Sequence, residues 1–152
     1  MRLVLIEPDI PQNTGALLRL GACMGVAVDI VEPCGFLLDD KRLRRAGMDY
    51  LESVEMVRHR SWSAYRAAAS GRLVLLTTRG DTRYADFGFQ PDDNILLGRE
   101  SAGAAEEVHG EADARLLIPM GPGIRSLNVA MAAAMVLSEA LRQTGLFPEG
   151  SP

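Results

Sequence analysis

Short apolar runs of strand length alternate along the chain with segments whose apolar residues recur at helical spacing. The runs at residues 3–6, 27–31, 73–77, 94–97 and 116–118 predict strands, and residues 13–24, 41–46, 62–69, 104–108 and 127–143 predict helices. Alternation of this kind is typical of α/β proteins. We therefore predict a mostly parallel sheet flanked by helices.

Polar and glycine residues mark the ends of two predicted helices. Asn13 follows two prolines and is a favourable N-cap, and Gly25 stands where a left-handed residue would end the same helix. Ser126 is the N-cap candidate of the last and longest helix. Both helices are therefore expected to begin directly after a polar turn.

The composition is that of a chain of one-domain size. With 152 residues, 47% of them hydrophobic, we expect a single domain over residues 1–152 with a disordered tail at 145–152. No run approaches the roughly 18 apolar residues of a membrane span, and no signal peptide is visible, so we expect a cytoplasmic protein without membrane contact. Cys23 and Cys34 fit no paired metal spacing, and we expect no metal.

The charge distribution is uneven along the chain. A net charge of −4 argues against nonspecific, salt-driven attraction to nucleic acid. One part of the chain is nevertheless rich in basic residues, and its densest cluster is Lys41, Arg42, Arg44 and Arg45. A charge run is commonly a solvated face. The density of this one favours contact with a polyanion.

The first segment with candidate chemistry is 11–19, where a strand gives way to a helix. Backbone N–H groups at a helix N-terminus attract anions. Arg19 should lie on the same side of this helix as Gly15 and Ala16, which would let a phosphate approach its guanidinium. The alternative is an ordinary capped helix with an exposed arginine.

The second segment is 95–103, an apolar strand that runs into a glycine-bounded loop. Ligands of parallel α/β sheets bind at the carboxyl ends of strands. Gly98 would let the main chain approach a ligand, and Glu100 would place a carboxylate that accepts from a ribose hydroxyl or positions an arginine. A plain strand-to-helix turn with a capping glutamate is the alternative.

The third segment, 118–128, combines the sharp turn Gly121-Pro122-Gly123 with the start of the longest helix. Because this turn follows the last strand, it does not fit the dinucleotide-binding fingerprint, and the chain has no Gly-Lys-Ser/Thr of a P-loop. The helix beyond it is rich in alanine and apolar over most of its circumference, which predicts burial on two sides. Either other elements of the chain cover it or a second subunit packs closely against its small residues.

Taken together, the three segments resemble the three motifs of the SPOUT-class RNA 2′-O-ribose methyltransferases, and within that class the TrmL family of tRNA wobble-nucleotide methyltransferases. The likeness covers nearly the whole chain. The matching stretches are Pro11-x-Asn13-Thr14-Gly15 with Arg19, Gly98-x-Glu100-x-x-Gly103, Ile118-Pro119-Met120 with Ser126-Leu127-Asn128, and, for the wobble family, Glu32-Pro33-x-Gly35-Phe36, residues 39–47 and Leu76-Thr77-Thr78-x-Gly80.

The resemblance implies an activity and an assembly. It implies methyl transfer from S-adenosylmethionine to the ribose of cytidine or modified uridine at position 34, in leucine tRNAs. It also implies a C-terminal trefoil knot, which the general rule against knotted chains would not have predicted. The family works as a homodimer with its active site at the interface, which agrees with the alanine-rich helix.

The resemblance also assigns residues. Positions that hold the cofactor are matched by Leu76, Gly98, Ile118, Met120, Ser126 and Leu127, and the catalytic polar positions are matched by Asn13, Arg19, Glu100 and Asn128. Arg19 would come from the opposite subunit. Since a guanidinium stays protonated, fixation of a phosphate and stabilisation of charge suit it better than proton abstraction.

This sequence departs from the family pattern at three positions. Arg99 and Ala102 stand where relatives often carry proline and arginine, and Ser138 stands where a relative has tyrosine. Cofactor binding should survive these changes, whereas RNA contacts or substrate range could differ. Three alternatives stay open: a related methyltransferase acting on another tRNA or rRNA position, a noncatalytic RNA-binding module, and, more remotely, a nucleotide-binding oxidoreductase.

Overall fold

Seven parallel strands in the described part of the chain form one sheet. A computed structural model describes residues 1–38, 50 and 53–150. The strands are β1 (Arg2–Ile6), β2 (Ala27–Val31), β3 (Met56–His59), β4 (Leu73–Leu76), β5 (Thr82–Arg83), β6 (Asn94–Leu97) and β7 (Ala114–Leu117). Their order across the sheet is β3-β2-β1-β6-β4-β7-β5, and every neighbouring pair is parallel. The predicted parallel α/β architecture is confirmed.

Helices pack on both faces of this sheet. They are α1 (Pro11–Met24), α2 (Trp62–Ala68), α3 (Glu106–Glu111) and α4 (Val129–Thr144), and a 3-10 turn lies at Tyr84–Asp86. The side chains of α1 and α4 join one apolar core, and those of α2 and α3 join a second core on the opposite face. No helix in the described part of the chain combines the length and the apolar character needed to cross a membrane.

The apolar pattern located five of the seven strands. Strand β3 was not predicted, because it is an edge strand whose first three side chains are exposed and therefore form no apolar run. Strand β5 was not predicted because it has only two residues. The helix predicted at 41–46 lies outside the described residues.

Two of the predicted helix caps are wrong. Helix α1 begins at Pro11 after Ile10, since proline has a φ suited to the first helical position, and Asn13 therefore lies inside the first turn. Helix α4 is capped by Asn128 and not by Ser126: Asn128 Oδ1 accepts from the amides of Ala130 and Met131 at 2.9 and 3.3 Å. The prediction for Gly25 is confirmed, because it ends α1 in the left-handed conformation at φ 63°.

Helix α4 is buried on one side within this chain, not on two. Its buried residues are Ala133, Val136, Leu137, Ala140 and Leu141. Met131 and Met135, one helical turn apart, are 63% and 40% exposed. The apolar circumference seen in the sequence therefore exceeds what the chain itself covers.

Candidate active site

A cavity of about 1020 Å³ lies at the carboxyl ends of β4, β6 and β7. These ends meet at one edge because the strands are parallel and adjacent, which is where α/β sheets bind ligands. The walls are formed by the loops after these strands and by the starts of α1 and α4. The volume is close to the upper end of the roughly 300–1,000 Å³ typical of small-molecule sites.

Nine of the ten residues predicted for catalysis or cofactor binding line this cavity. They are Asn13, Leu76, Gly98, Glu100, Ile118, Met120, Ser126, Leu127 and Asn128. The tenth, Arg19, is not among the lining residues. These nine residues are spread over more than a hundred positions of the sequence, and the fold brings them together around one cavity.

A chain of hydrogen bonds joins the polar residues at the rim. Asn13 Nδ2 donates to Glu100 Oε1 at 3.1 Å, and Asn128 Nδ2 donates to Asn13 Oδ1 at 2.9 Å. The other carboxylate oxygen of Glu100 accepts from the amide of Asp9 at 3.1 Å. Because both ends of the Asn13 amide are engaged, Asn13 fixes the distance between Glu100 and the N-terminus of α4.

Gly98 is needed for the shape of the loop after β6. A Cβ at this position would stand 2.3 Å from the amide nitrogen of Ala104 and 2.6 Å from the carbonyl carbon of Gly103. Within this chain the missing side chain admits the returning backbone of the same loop, and the approach of a ligand to Gly98 stays a prediction. That return turns Glu100 toward Asn13.

The carboxyl groups of Asp9 and Glu100 perturb each other. Burial raises the pKa of Glu100, and the neighbouring Asp9 raises it further. The interaction with Glu100 holds the pKa of Asp9 below its ordinary value, with help from the hydroxyl of Ser101. The pair divides into a carboxylate that ionises readily and one that retains its proton to higher pH, as expected of a potential proton acceptor.

Arg19 lies away from the cavity of its own chain. It is exposed on α1, and its guanidinium carbon stands 4.8 Å from the centroid of the Tyr50 ring. It follows Asn13 by six positions, which corresponds to about 9 Å along the helix and a different face. The predicted RNA-binding residues Lys41, Arg42, Arg44 and Arg45 lie outside the described residues.

Comparison with known proteins assigns the family. The sequence matches the SpoU rRNA methylase family over residues 1–138. The chain belongs to this family. It is 58% identical over 146 residues to a tRNA (cytidine(34)-2′-O)-methyltransferase of Beijerinckia indica subsp. indica, covering 94% of this chain and 91% of the relative.

Solved structures agree with this assignment. One that concerns the 2-OH methylation of C/U34 on tRNA superposes with a TM-score of 0.90 at 38% identity, covering 93% of this chain and 94% of the other. The SpoU methyltransferase AviRb of Streptomyces viridochromogenes, solved with its cofactor AdoMet, superposes with a TM-score of 0.83 at 29% identity, covering 94% of this chain and 60% of the other. The SpoU fold thus extends over almost all of this chain.

Sequence reasoning missed Asp9 beside the site and named Arg99 only as a departure from the family pattern. Asp9 contacts the Glu100 loop, and Arg99 lies with its Nη1 3.6 Å from Glu7 Oε2 and its Nε 3.9 Å from Asp9 Oδ2. The sequence signal for Asp9 was its place among the polar residues that follow β1. Those residues belong to the site only because β1 and β6 are adjacent in the sheet. No group of three or more His, Cys, Asp or Glu suited to a metal ion occurs among residues 1–38, 50 and 53–150.

Proposed function

We propose that this chain transfers a methyl group from S-adenosylmethionine to the ribose 2′-hydroxyl of the wobble nucleotide of tRNA, cytidine or modified uridine at position 34, in leucine tRNAs. The observation that carries the proposal is the hydrogen-bonded row Glu100, Asn13 and Asn128 at the rim of the cavity. The relatives named for cytidine-34 methylation match nearly all of the chain and supply the position.

The residues of the cavity fit S-adenosylmethionine. Leu76, Leu97, Ile118 and Leu127 offer apolar surface for an uncharged base, and the loop at 118–128 offers main-chain groups around a turn closed by the Ile124 amide and the Gly121 carbonyl. When bound, the cofactor supplies an electrophilic methyl group with a neutral leaving group. We assign its binding to Leu76, Gly98, Ile118, Met120, Ser126 and Leu127.

The protein's own groups have to orient the ribose hydroxyl and receive its proton. Glu100 is the candidate proton acceptor, since its carboxylate is held at the rim and burial favours its protonated form. Asn13 and Asn128 hold that carboxylate and the start of α4 in one arrangement. Alignment of this kind is worth several orders of magnitude in rate.

We further propose a homodimer in which Arg19 of one protomer completes the cavity of its partner. Arg19 is exposed on α1 and cannot line the cavity of its own chain in this arrangement. Helix α1 packs against α4, whose exposed Met131 and Met135 form an apolar strip that a second copy could cover. There the guanidinium would fix a phosphate or stabilise developing charge.

The C-terminal part is proposed to form a trefoil knot. The segment between β4 and β6 reaches the far side of β7, where β5 pairs with it. It then meets α4 at Gln143, which donates to the Phe87 carbonyl and accepts from the Phe89 amide. Strand β7 therefore lies between β4 and β5 in the sheet, an order that supports the proposed threading of the chain. Helix α4, which follows, packs against α1.

The remaining proposals concern RNA contact and location. We propose that residues 1–152 act as one domain in the cytoplasm, where its tRNA substrate is found, without a metal or membrane partner. Lys41, Arg42, Arg44 and Arg45 would contact the tRNA backbone, since clustered cations bind phosphates.

The test is transfer of label from S-adenosylmethionine to unmodified leucine tRNA, followed by nuclease mapping of the methylated nucleotide. We expect label at the ribose of nucleotide 34 and nowhere else. Label at another tRNA or rRNA position would replace this proposal with a sister activity. Absence of transfer to any RNA, together with no S-adenosylmethionine binding in calorimetry, would leave a noncatalytic RNA-binding module.

A further inference from the structure

Asp9 and Glu100 form a reciprocal pair between two loops. The amide of Asp9 donates to Glu100 Oε2, and the amide of Glu100 donates to Asp9 Oδ1, both at 3.1 Å. Each residue thus uses its backbone to hold the other's carboxylate. The pair ties the loop after β1 to the loop after β6, whose strands are neighbours in the sheet.

Two further side chains fix Asp9 itself. The Ser101 hydroxyl donates to Asp9 Oδ2, the oxygen that the Glu100 amide does not use. The Arg99 guanidinium lies beside Asp9 and Glu7, and its buried Nε has no hydrogen-bond partner among residues 1–38, 50 and 53–150. Glu7 has the left-handed φ of 48°, an unfavourable conformation for a glutamate that turns the chain from β1 toward this cluster.

We infer that Asp9 is a positioning residue that, with Arg99 beside it, holds the Glu100 carboxylate ready to accept the ribose proton. The inference rests on the proposed function, in which Glu100 is that acceptor. Asp9 does not line the cavity, so it acts through Glu100 and not on the substrate. Without the Asp9 carboxylate, the loop that carries Glu100 loses two hydrogen bonds, one from the Glu100 amide and one from the Ser101 hydroxyl.

Charge gives the pair a second, measurable effect. Asp9 raises the pKa of Glu100. Because the cationic Arg99 lies beside Asp9, we expect its charge to act on the pKa of Glu100 in the opposite direction. Asn13 and Asn128, which face Glu100 from α1 and the start of α4, are neutral. The other charged or titratable residues that line the same cavity are Arg79, Glu106, His109 and Arg125.

The experiment compares three variants of the full chain. Asp9→Ala removes the negative charge and the acceptor of both hydrogen bonds. We expect kcat to fall about tenfold or more with an unchanged KM for S-adenosylmethionine. Asp9→Asn keeps an acceptor for the Glu100 amide, and we expect it to recover most of kcat while the acid limb of the pH profile moves to lower pH by about one unit. Arg99→Gln removes the offsetting cation, and we expect its acid limb to move to higher pH.

Matched controls remove the same charges elsewhere. Asp86→Asn and Arg83→Gln separate an exposed ion pair that does not line the cavity, and we expect wild-type pH profiles from both. The inference is overturned if Asp9→Ala keeps wild-type kcat, or if the acid limb stays in place in both Asp9→Asn and Arg99→Gln. If Asp9→Ala does not fold, the inference is tested by the acid limbs of Asp9→Asn and Arg99→Gln, which we expect to move in opposite directions.

Carbon-13 NMR of the Glu100 carboxyl separates this inference from the proposed function, because it needs no activity. We expect the titration midpoint of Glu100 to fall in Asp9→Asn and to rise in Arg99→Gln. Midpoints equal to that of the wild type in both variants refute the inference even if the enzyme methylates tRNA. Shifted midpoints in a protein without methyl transfer refute the proposed function and leave the coupling of Asp9 to Glu100 standing.

Discussion

Asn128 donates a 2.9 Å hydrogen bond to Asn13 across 115 residues of chain. The same Asn128 caps α4 through its side-chain oxygen, while Asn13 holds Glu100. One side chain therefore both starts the last helix and completes the polar row at the cavity. This double use links the stability of α4 to the geometry of the site.

The two roles of Asn128 can be separated by mutation. Asn128→Ala loses the cap and the bond to Asn13, and we expect a loss of about 1–2 kcal/mol in the free energy of unfolding together with a large fall in kcat. Asn128→Asp keeps a capping acceptor but cannot donate to Asn13, and we expect it to retain stability and still lose kcat. Urea unfolding and methyl-transfer assays measure the two effects. Equal stability of wild type and Asn128→Ala would contradict the cap, and Ser126→Ala is the control expected to unfold like the wild type.

Gly98→Ala should disrupt the loop that carries Glu100. The added Cβ would meet backbone atoms of Gly103 and Ala104 at 2.3–2.6 Å, which a side-chain rotation cannot relieve. We expect a loss of about 2–3 kcal/mol and weaker S-adenosylmethionine binding in calorimetry. In the matched variant Gly110→Ala the new Cβ has no atom within 4 Å and lies in α3, so its stability should be unchanged or slightly increased. Equal stability of the two variants would refute this steric explanation.

Asp93 should be a larger contributor to stability than its neighbour Asp92. The buried carboxylate of Asp93 accepts two bonds from Arg72 and one from the Gln90 amide, all at 2.8 Å, whereas Asp92 is exposed. We expect Asp93→Asn to lower the free energy of unfolding by about 1–3 kcal/mol, because it weakens the hydrogen bonds between a buried carboxylate and Arg72, whose side chain is 32% exposed. Asp92→Asn should change it by less than about 0.5 kcal/mol. Chemical denaturation measures the free energy of unfolding of both variants. Equal losses in Asp93→Asn and Asp92→Asn would contradict this prediction.

Mixing two inactive proteins tests the shared site. Arg19→Ala and Glu100→Gln should each be inactive alone, since each lacks one half of every site. After unfolding and refolding together in equal amounts, random pairing should give about a quarter of wild-type activity, because mixed dimers contain one site with both residues intact. If Arg19 acts in its own chain, the mixture will stay inactive.

The sequence predicted the parts of the fold that depend on local pattern. The five strands with buried apolar runs and the left-handed end of α1 at Gly25 were found because each has a short-range signal. Strand β3 was missed because an edge strand with exposed Met56 and Val57 has none. The N-cap prediction at Asn13 failed because Pro11 starts the helix earlier, and the Asn13 side chain contacts Glu100 instead.

The candidate site was predicted from three segments whose order resembles a known set of motifs. Their meeting at one cavity depends on β6 lying between β1 and β4, a strand order that no local pattern encodes. For the same reason the sequence alone did not indicate that Asp9 belongs to the site. Its contact with Glu100 exists only because the carboxyl ends of β1 and β6 are adjacent.

The most direct test of the account uses two leucine tRNAs that differ in one oxygen atom. Both are incubated with the enzyme and labelled S-adenosylmethionine; one carries cytidine at position 34 and the other 2′-deoxycytidine at the same position. We predict labelling of the first and none of the second, because the 2′-hydroxyl of that nucleotide is the methyl acceptor. Equal labelling of the two tRNAs would contradict the central claim.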